Sequence, residues 1–322
     1  MGELYGCDKA IILRYAKEIG YVNHYRNSLT EEQKQDILAQ YELKTSKELS
    51  EYYGVSQSLI TKTWSENGLI GKERRSYPFD FNYFENIDSA DKAYFLGLLA
   101  ADGNVFKRKI GNSQSIIKLS LQKTDKIILE IFKIYLGSKQ PLYETRRESS
   151  YVNYMYTLEL VSDKMANDLS KYNIIPYKTY DYEFVELNKE YMSHFFRGYF
   201  DGDGSISCVN NQLHSPSMYS IQISGFIHNL SKMSKYLFTN EAINSIIIID
   251  KRKEKENKYN LPFGSLAFTN INDKYKFLKY IYDDRSDIYF ARKRYMAECF
   301  FNAINKNYSN KQNLYNNILM PS

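Results

Sequence analysis

Two nonamers decide the reading of this chain: FLGLLAADG, from Phe95 to Gly103, and FRGYFDGDG, from Phe196 to Gly204. Each reads as the last turns of a helix that ends in an acid. In the first, Gly97 stands four residues before Ala101; in the second, Gly198 stands four before Gly202. Residues four apart share a helix face, so each helix has one face bare of bulk, and two such helices can pack backbone to backbone. Just past the bare faces stand Asp102 and Asp203. Pairing the helices brings these carboxylates together beside two helix C-termini, where aligned peptide dipoles already carry partial negative charge. Cations relieve that crowding.

The same order of elements surrounds both nonamers. After the first come polar-alternating segments at 104–109 and 115–123 that predict strands, a helix at 125–136, strands at 142–147 and 151–160, and a helix at 162–172. The second half opens with a helix from Asn188 and continues with strands near 205–210 and 217–224. A helix at 229–238, strands at 245–251 and 264–270, and helices from Asp273 onward complete it. The prediction is an α+β fold of two pseudo-symmetric αββαββα halves, 76–187 and 188–322. The tail after Phe301 holds seven asparagines and reads as fraying.

A second repeat lies at the N-terminus. Glu3 to Tyr21 aligns with Glu51 to Leu69 through Glu3/Glu51, Tyr5/Tyr53, Gly6/Gly54, Ile12/Ile60, Glu18/Glu66 and Gly20/Gly68. The second copy reads as a helix-turn-helix within an all-α module spanning 1–75. A short helix covers 46–53, Gly54 makes the turn, and Ser56 caps a helix over 57–67. Leu59, Ile60 and Thr63 are expected to face the core. Gln57, Ser58, Thr61 and Lys62 are expected to face outward, as a recognition helix presents its residues to the major groove. The first copy reads as incomplete, because Met1 falls where its leading helices would be. Lys72 to Pro78 is a basic, Pro-terminated linker whose Arg74 and Arg75 can track a phosphate backbone.

Composition narrows the classes. The chain has 322 residues, 43% of them hydrophobic, and a formal net charge of +5. Residues 1–80 hold 11 Lys+Arg against 12 Asp+Glu, so the positive surplus lies after residue 80, a modest bias compatible with a polyanionic partner. Cys7, Cys208 and Cys299 are far apart, without C-x-x-C spacing, and only four histidines accompany them, which argues against a disulfide framework or a zinc site. No apolar run reaches 18 residues and no signal organisation opens the chain, so no membrane partner is expected and the cytoplasm, at the nucleoid, is the expected location. An EF-hand loop starting at Asp201 is rejected, because Ser205, Ile206 and Gln212 stand where it needs an acid or amide, glycine and glutamate.

The paired nonamers resemble the motifs of the LAGLIDADG homing endonucleases, specifically the single-chain type with two copies, over about residues 81 to 300. The resemblance implies a monomer whose sheets form a saddle on double-stranded DNA with a long specific target. It implies a metal-dependent nuclease that cuts both strands and leaves 3′ overhangs, using Mg²⁺, with Mn²⁺ able to substitute. The last acid of each motif then binds metal, which maps onto Asp102 and Asp203. The earlier acid is Asp201 in the second copy but Ala100 in the first, a departure that removes no implied ligand. A basic residue near each site maps onto Lys178 for the first half and Lys293 for the second. A water-orienting polar residue maps onto Gln122, with Gln222 a weaker counterpart. Candidate saddle contacts are Lys107, Arg108, Lys118, Arg146, Arg147, Lys251, Arg252 and Lys253. Two alternatives follow from the same resemblance: an RNA maturase with intron RNA as partner, and a transcription regulator on an endonuclease-derived fold. Neither requires the two acids that this chain retains.

Overall fold

The computed structural model describes residues 28–41, 44–69, 77–107, 114–147, 153–176, 178, 182–252, 261–283 and 288–319, with the side chains of 146, 147, 153 and 307–319 outside the description. The first copy of the N-terminal repeat, the linker arginines Arg74 and Arg75, and Arg108 and Lys253 lie outside the described residues. The chain divides into two compact units, Met1–Ser76 and Tyr77–Ser322.

In the first unit, α1 (Glu31–Ala39), α2 (Ser46–Tyr53) and α3 (Gln57–Glu66) enclose a small core of Ile37, Leu49, Val55, Ile60 and Trp64. Local chemistry sets each boundary. Thr30 and Thr45 open α1 and α2 with reciprocal capping boxes to Gln33 and Glu48, satisfying backbone N–H groups that have no helical acceptor. Gly54 ends α2 in the left-handed region at φ 61°, and the Ser56 hydroxyl caps α3 by accepting from Leu59 N. Ile60, Thr63 and Trp64 are buried and Leu59 partly so. Gln57, Ser58 and Lys62 are exposed and Thr61 half-buried.

The second unit contains both nonamers. Its first half runs α4 (Ala90–Asp102), β1 (Gly103–Lys107), β2 (Ser115–Gln122), α5 (Lys126–Tyr135), β3 (Tyr143–Arg147), β4 (Asn153–Val161) and α6 (Asp163–Ser170). Its second half runs α7 (Lys189–Asp203), β5 (Gly204–Cys208), β6 (Tyr219–Phe226), α8 (Ile227–Glu241), β7 (Ile246–Ile249), β8 (Phe263–Phe268) and α9 (Ile271–Tyr282), followed by α10 (Ala291–Leu319). Each half is thus αββαββα. The antiparallel sheets have equivalent orders, β1-β2-β4-β3 and β5-β6-β8-β7. No glycine or proline interrupts α10, which continues past Phe301 to Leu319.

Alternation along the strands assigns the two faces of each sheet. On β2, Ile117, Leu119 and Leu121 are buried, whereas Lys118 and Ser120 are half-buried and Gln122 is exposed. On β6, Ile221 and Ile223 are buried, while Ser220, Gln222 and Ser224 line the other face. The buried faces meet one continuous core in which α4 and α7 are central, with Phe95, Leu96, Leu98, Leu99, Phe196 and Phe200 fully buried. Burial on several sides explains why FLGLL is apolar all round rather than striped.

Candidate active site

Helices α4 and α7 touch along the two bare faces. A side chain on Gly97 would collide with Phe195 O and stand 2.9 Å from Tyr199 N; one on Gly198 would collide with Tyr94 O and stand 2.9 Å from Leu98 N. The glycines therefore admit the partner's backbone. Further down the same seam, the position a Gly202 Cβ would occupy lies 3.1 Å from Asp102 Oδ2, so the two motif ends are side by side.

Each motif helix ends on a lysine from its own half. Lys178 Nζ donates to Ala100 O at 2.7 Å and Ala101 O at 3.1 Å, at the end of α4. Lys293 Nζ donates to Phe200 O, Asp201 O and Gly204 O, each at 2.6 Å, at the end of α7. Most of these carbonyls belong to the last helical turn, at the negative end of the helix dipole, so an ammonium is the natural cap. Neither lysine is a solvated surface charge: Lys178 is 7% exposed and Lys293 4%. Burial lowers the pKa of each to about 8.

Both lysines interact with the acids of both motifs. Lys178 is held charged chiefly by Asp203 and only then by Asp102. Crowding by protein pushes the Asp102 carboxyl upward, although its tip is open to solvent, and the countering charges are Lys293 first, then Lys178 and Arg292. Lys293 is held charged first by Asp201 of its own half and then by Asp102 and Asp203. Each lysine thus caps its own helix while its charge reaches the acids of both motifs.

A brace from the opposite half holds each lysine segment. Arg292, next to Lys293, pairs through Nε with Asp125 Oδ2 at 3.1 Å, and Asp125 follows β2 of the first half. In the other direction, Asn229 accepts from Phe184 N at 2.7 Å and donates to Tyr182 O, just beyond Lys178. Register makes the two braces equivalent: Leu119 faces Gly103 and Ile223 faces Gly204, and Asp125 and Asn229 each lie six residues further on. The same register aligns Gln122 with Phe226 and Lys118 with Gln222, so Gln222 is not the counterpart of Gln122.

Asp201, the acid with no equivalent at Ala100, is a structural residue. It is fully buried and accepts from Tyr94 Oη at 2.7 Å, Tyr282 Oη at 3.3 Å and Phe290 N at 2.8 Å. Burial raises it to about 6. Arg197, 1% exposed, donates to Ile288 O and Ile281 O, tying α7 to the end of α9 and to the segment that precedes α10.

The candidate saddle residues are dispersed. Lys118 lies on the face of β2 opposite the core and pairs with Glu159 at 3.8 Å. Lys107, at the end of β1, pairs instead with Asp163 at the start of α6, at 3.8 Å. Lys251 and Arg252 are exposed beyond β7, and Arg146 and Arg147 lie on β3. No cluster of three or more His, Cys, Asp or Glu occurs among the described residues. Asp102 and Asp203 nonetheless fit a hard divalent cation, which binds through one or two carboxylates and keeps several waters. No helix among the described residues is long and apolar enough to cross a membrane.

Fold and site together define a single chain with two internally related halves and a carboxylate pair at their junction. Solved structures similar to it include the homing endonuclease I-WcaI bound to its DNA recognition sequence, 12% identical with a TM-score of 0.45 over 67% of this chain and 90% of that one. They also include the I-SmaMI LAGLIDADG homing endonuclease bound to cleaved DNA, 14% identical with a TM-score of 0.42 over 68% and 90%. I-SmaMI bound to uncleaved DNA target in the presence of calcium ions is 15% identical, with a TM-score of 0.41 over 67% and 92%. No family model matches the sequence. A curated relative, the DNA-directed RNA polymerase subunit Rpo1C of Methanocaldococcus jannaschii, is 23% identical over 160 residues. That match covers 49% of this chain but only 18% of the relative's length.

Proposed function

We propose that this protein is a site-specific, divalent-metal-dependent endonuclease that cuts both strands of duplex DNA. The observation that carries the reading is the junction itself, where Asp102 and Asp203 end two interlocked helices and each faces a buried lysine. Phosphodiester hydrolysis needs an activated water and neutralisation of charge on the transition state. Asp102 and Asp203 would hold Mg²⁺, or Mn²⁺ in its place, which supplies Lewis-acid activation when bound. Lys178 and Lys293 place cationic charge beside the acids, and Gln122 orients the water at the Asp102 site. The uncovered sheet faces, with Lys118 among their residues, would lie on the DNA. Gln57, Ser58, Thr61 and Lys62 of α3 would add contacts to flanking sequence. The protein acts as a monomer because one chain carries both acids, and resemblance to LAGLIDADG enzymes assigns 3′ overhangs.

The test is cleavage of DNA carrying the gene-free version of the locus where this gene resides, in Mg²⁺ or EDTA. Double-strand cutting in Mg²⁺ alone, reduced to nicking or abolished by Asp102→Asn and by Asp203→Asn, is the expected result. Binding without cutting in either Mg²⁺ or Mn²⁺, unchanged by both substitutions, would refute the nuclease and leave a regulator or an RNA maturase.

A further inference from the structure

The uncovered face of the second sheet carries an aliphatic strip along its outer strand. Gln222 on β6 stands opposite Ala267 on β8, which stands opposite Ile246 on β7; Ser224 leads in the same way through Ser265 to Ile248. Directly opposed residues of antiparallel strands point to one side, so Ile246 and Ile248 share the face of Gln222 and Ser224, away from the core. These isoleucines are 48% and 50% exposed, whereas Ile247 between them packs against the core. Bare aliphatic side chains on an edge strand invite unwanted pairing, and the fold does not need these two.

Basic residues adjoin the strip. Ile248 and Ser265 line one open depression with Lys251 and Arg252, and the Arg252 side chain is 88% exposed, meeting Asp250 at 3.5 Å. Register places the same charges in the other half. Leu158 faces Leu119 as Leu266 faces Ile223, so Ile248 corresponds to Tyr143, and Lys251 and Arg252 correspond to Arg146 and Arg147. The basic pair is therefore common to both halves and suits a phosphate backbone, which carries no sequence. The exposed aliphatic side chain belongs to the second half, because its counterpart Tyr143 bears a hydroxyl. An apolar strip beside such charges calls for a surface that carries both phosphates and apolar groups. In the major groove of duplex DNA the apolar group is the thymine C5-methyl, with phosphates on either side.

We propose that Ile246 and Ile248 determine specificity in one half of the target by packing on thymine C5-methyl groups, with Lys251 and Arg252 on the adjoining phosphates. The proposal deepens the endonuclease reading and rests on its placing the uncovered sheet faces on DNA.

Its test replaces thymine by deoxyuridine, which keeps the base pair and the phosphates and removes only the methyl. Each thymine of the gene-free duplex is replaced singly. Binding in Ca²⁺ and single-turnover cleavage in Mg²⁺ are then measured for wild type and for the double variant Ile246→Ala, Ile248→Ala. For wild type, deoxyuridine at neighbouring positions in one half of the target should weaken binding about 3- to 10-fold. The double variant should bind the natural duplex more weakly by a similar factor and lose the deoxyuridine penalty at those positions alone. Its melting temperature should match that of wild type, because both side chains are exposed. The absence of any sensitive thymine, or a penalty that the double variant retains, would overturn the proposal. So would a dimer of the DNA-free protein that the substitutions dissociate, which would give the strip to a second copy of this chain. A wild type that binds without cutting would overturn the endonuclease reading alone, since binding still decides the methyl contact; one that does neither would overturn both.

Discussion

Asp102 and Asp203 occupy the same place in two copies of one frame, yet their surroundings obey different chemistry. Around Asp102 the brace is ionic: Asp125, 3% exposed, meets Arg292 from the other half. Around Asp203 the brace is neutral, an Asn229 amide that engages backbone groups of Tyr182 and Phe184. What stays the same is what the backbone demands, namely glycine at the crossing and a lysine on each helix end. What diverges is whatever needs only to bridge a gap of one hydrogen bond, which an ion pair or an amide can do equally well.

The strongest way to break this comparison is to attack the shared part. Gly97→Val and Gly198→Val each drive a branched side chain into a backbone carbonyl of the facing helix, and neither helix can retreat from its core. Both should cost about 4 kcal/mol or more, to similar extents, in thermal or denaturant unfolding. A loss at only one position would mean that the crossing is less symmetric than the two glycines suggest.

The lysines come next. Their folded pKa of about 8 lies below the usual 10.5, so between these values the unfolded chain binds more protons than the native one, and stability rises with pH. In metal-free protein, Lys178 should add roughly 3 kcal/mol between pH 8 and 10.5, and Lys178→Met should flatten that slope. Buried tyrosines such as Tyr94 and Tyr282, held well above their ordinary value, work in the opposite direction once pH passes 10. Unfolding measured against pH in both proteins checks the sign; equal slopes would show that Lys178 is not desolvated.

The braces themselves give the smallest effects and sharpen the contrast. Asn229→Ala leaves the buried Phe184 N–H without its acceptor, while His228 stays beside the Tyr182 carbonyl, and should cost about 2 kcal/mol, insensitive to salt. Arg292→Ala strands the Asp125 carboxylate, but the arginine is 47% exposed and water can replace it, so about 1 kcal/mol is expected, shrinking as salt rises. Urea unfolding at low and high ionic strength separates the two.

The parts legible in the sequence were those with local causes. The four-residue glycine spacing and the terminal Asp-Gly placed both motif helices and their acids, and the strand alternation in SIIKLSLQ and YSIQISGF placed both central strands to within two residues. Ser56 and Gly54 bounded α3 for the same reason. The reach of Lys178 across to Asp203 was not legible, because it depends on where two helices cross, and no spacing in either half records the crossing. Asn229 and Asp125 were missed for a related reason. Their partners lie 45 or more residues away, and a lone Asn or Asp at a strand–helix junction looks like many others. Only register, once known, shows Gln122 and Phe226 to be counterparts.

The crossed braces bear on how such a molecule could be recombined. A half transplanted from a relative would bring its own acid, sheet and lysine, but the residue that steadies that lysine would stay behind in the half that was replaced. Chimeras should therefore lose stability at the junction unless Asp125 travels with Arg292 and Asn229 with the 182–184 segment. The unit of exchange in this architecture is a half together with one residue of its neighbour.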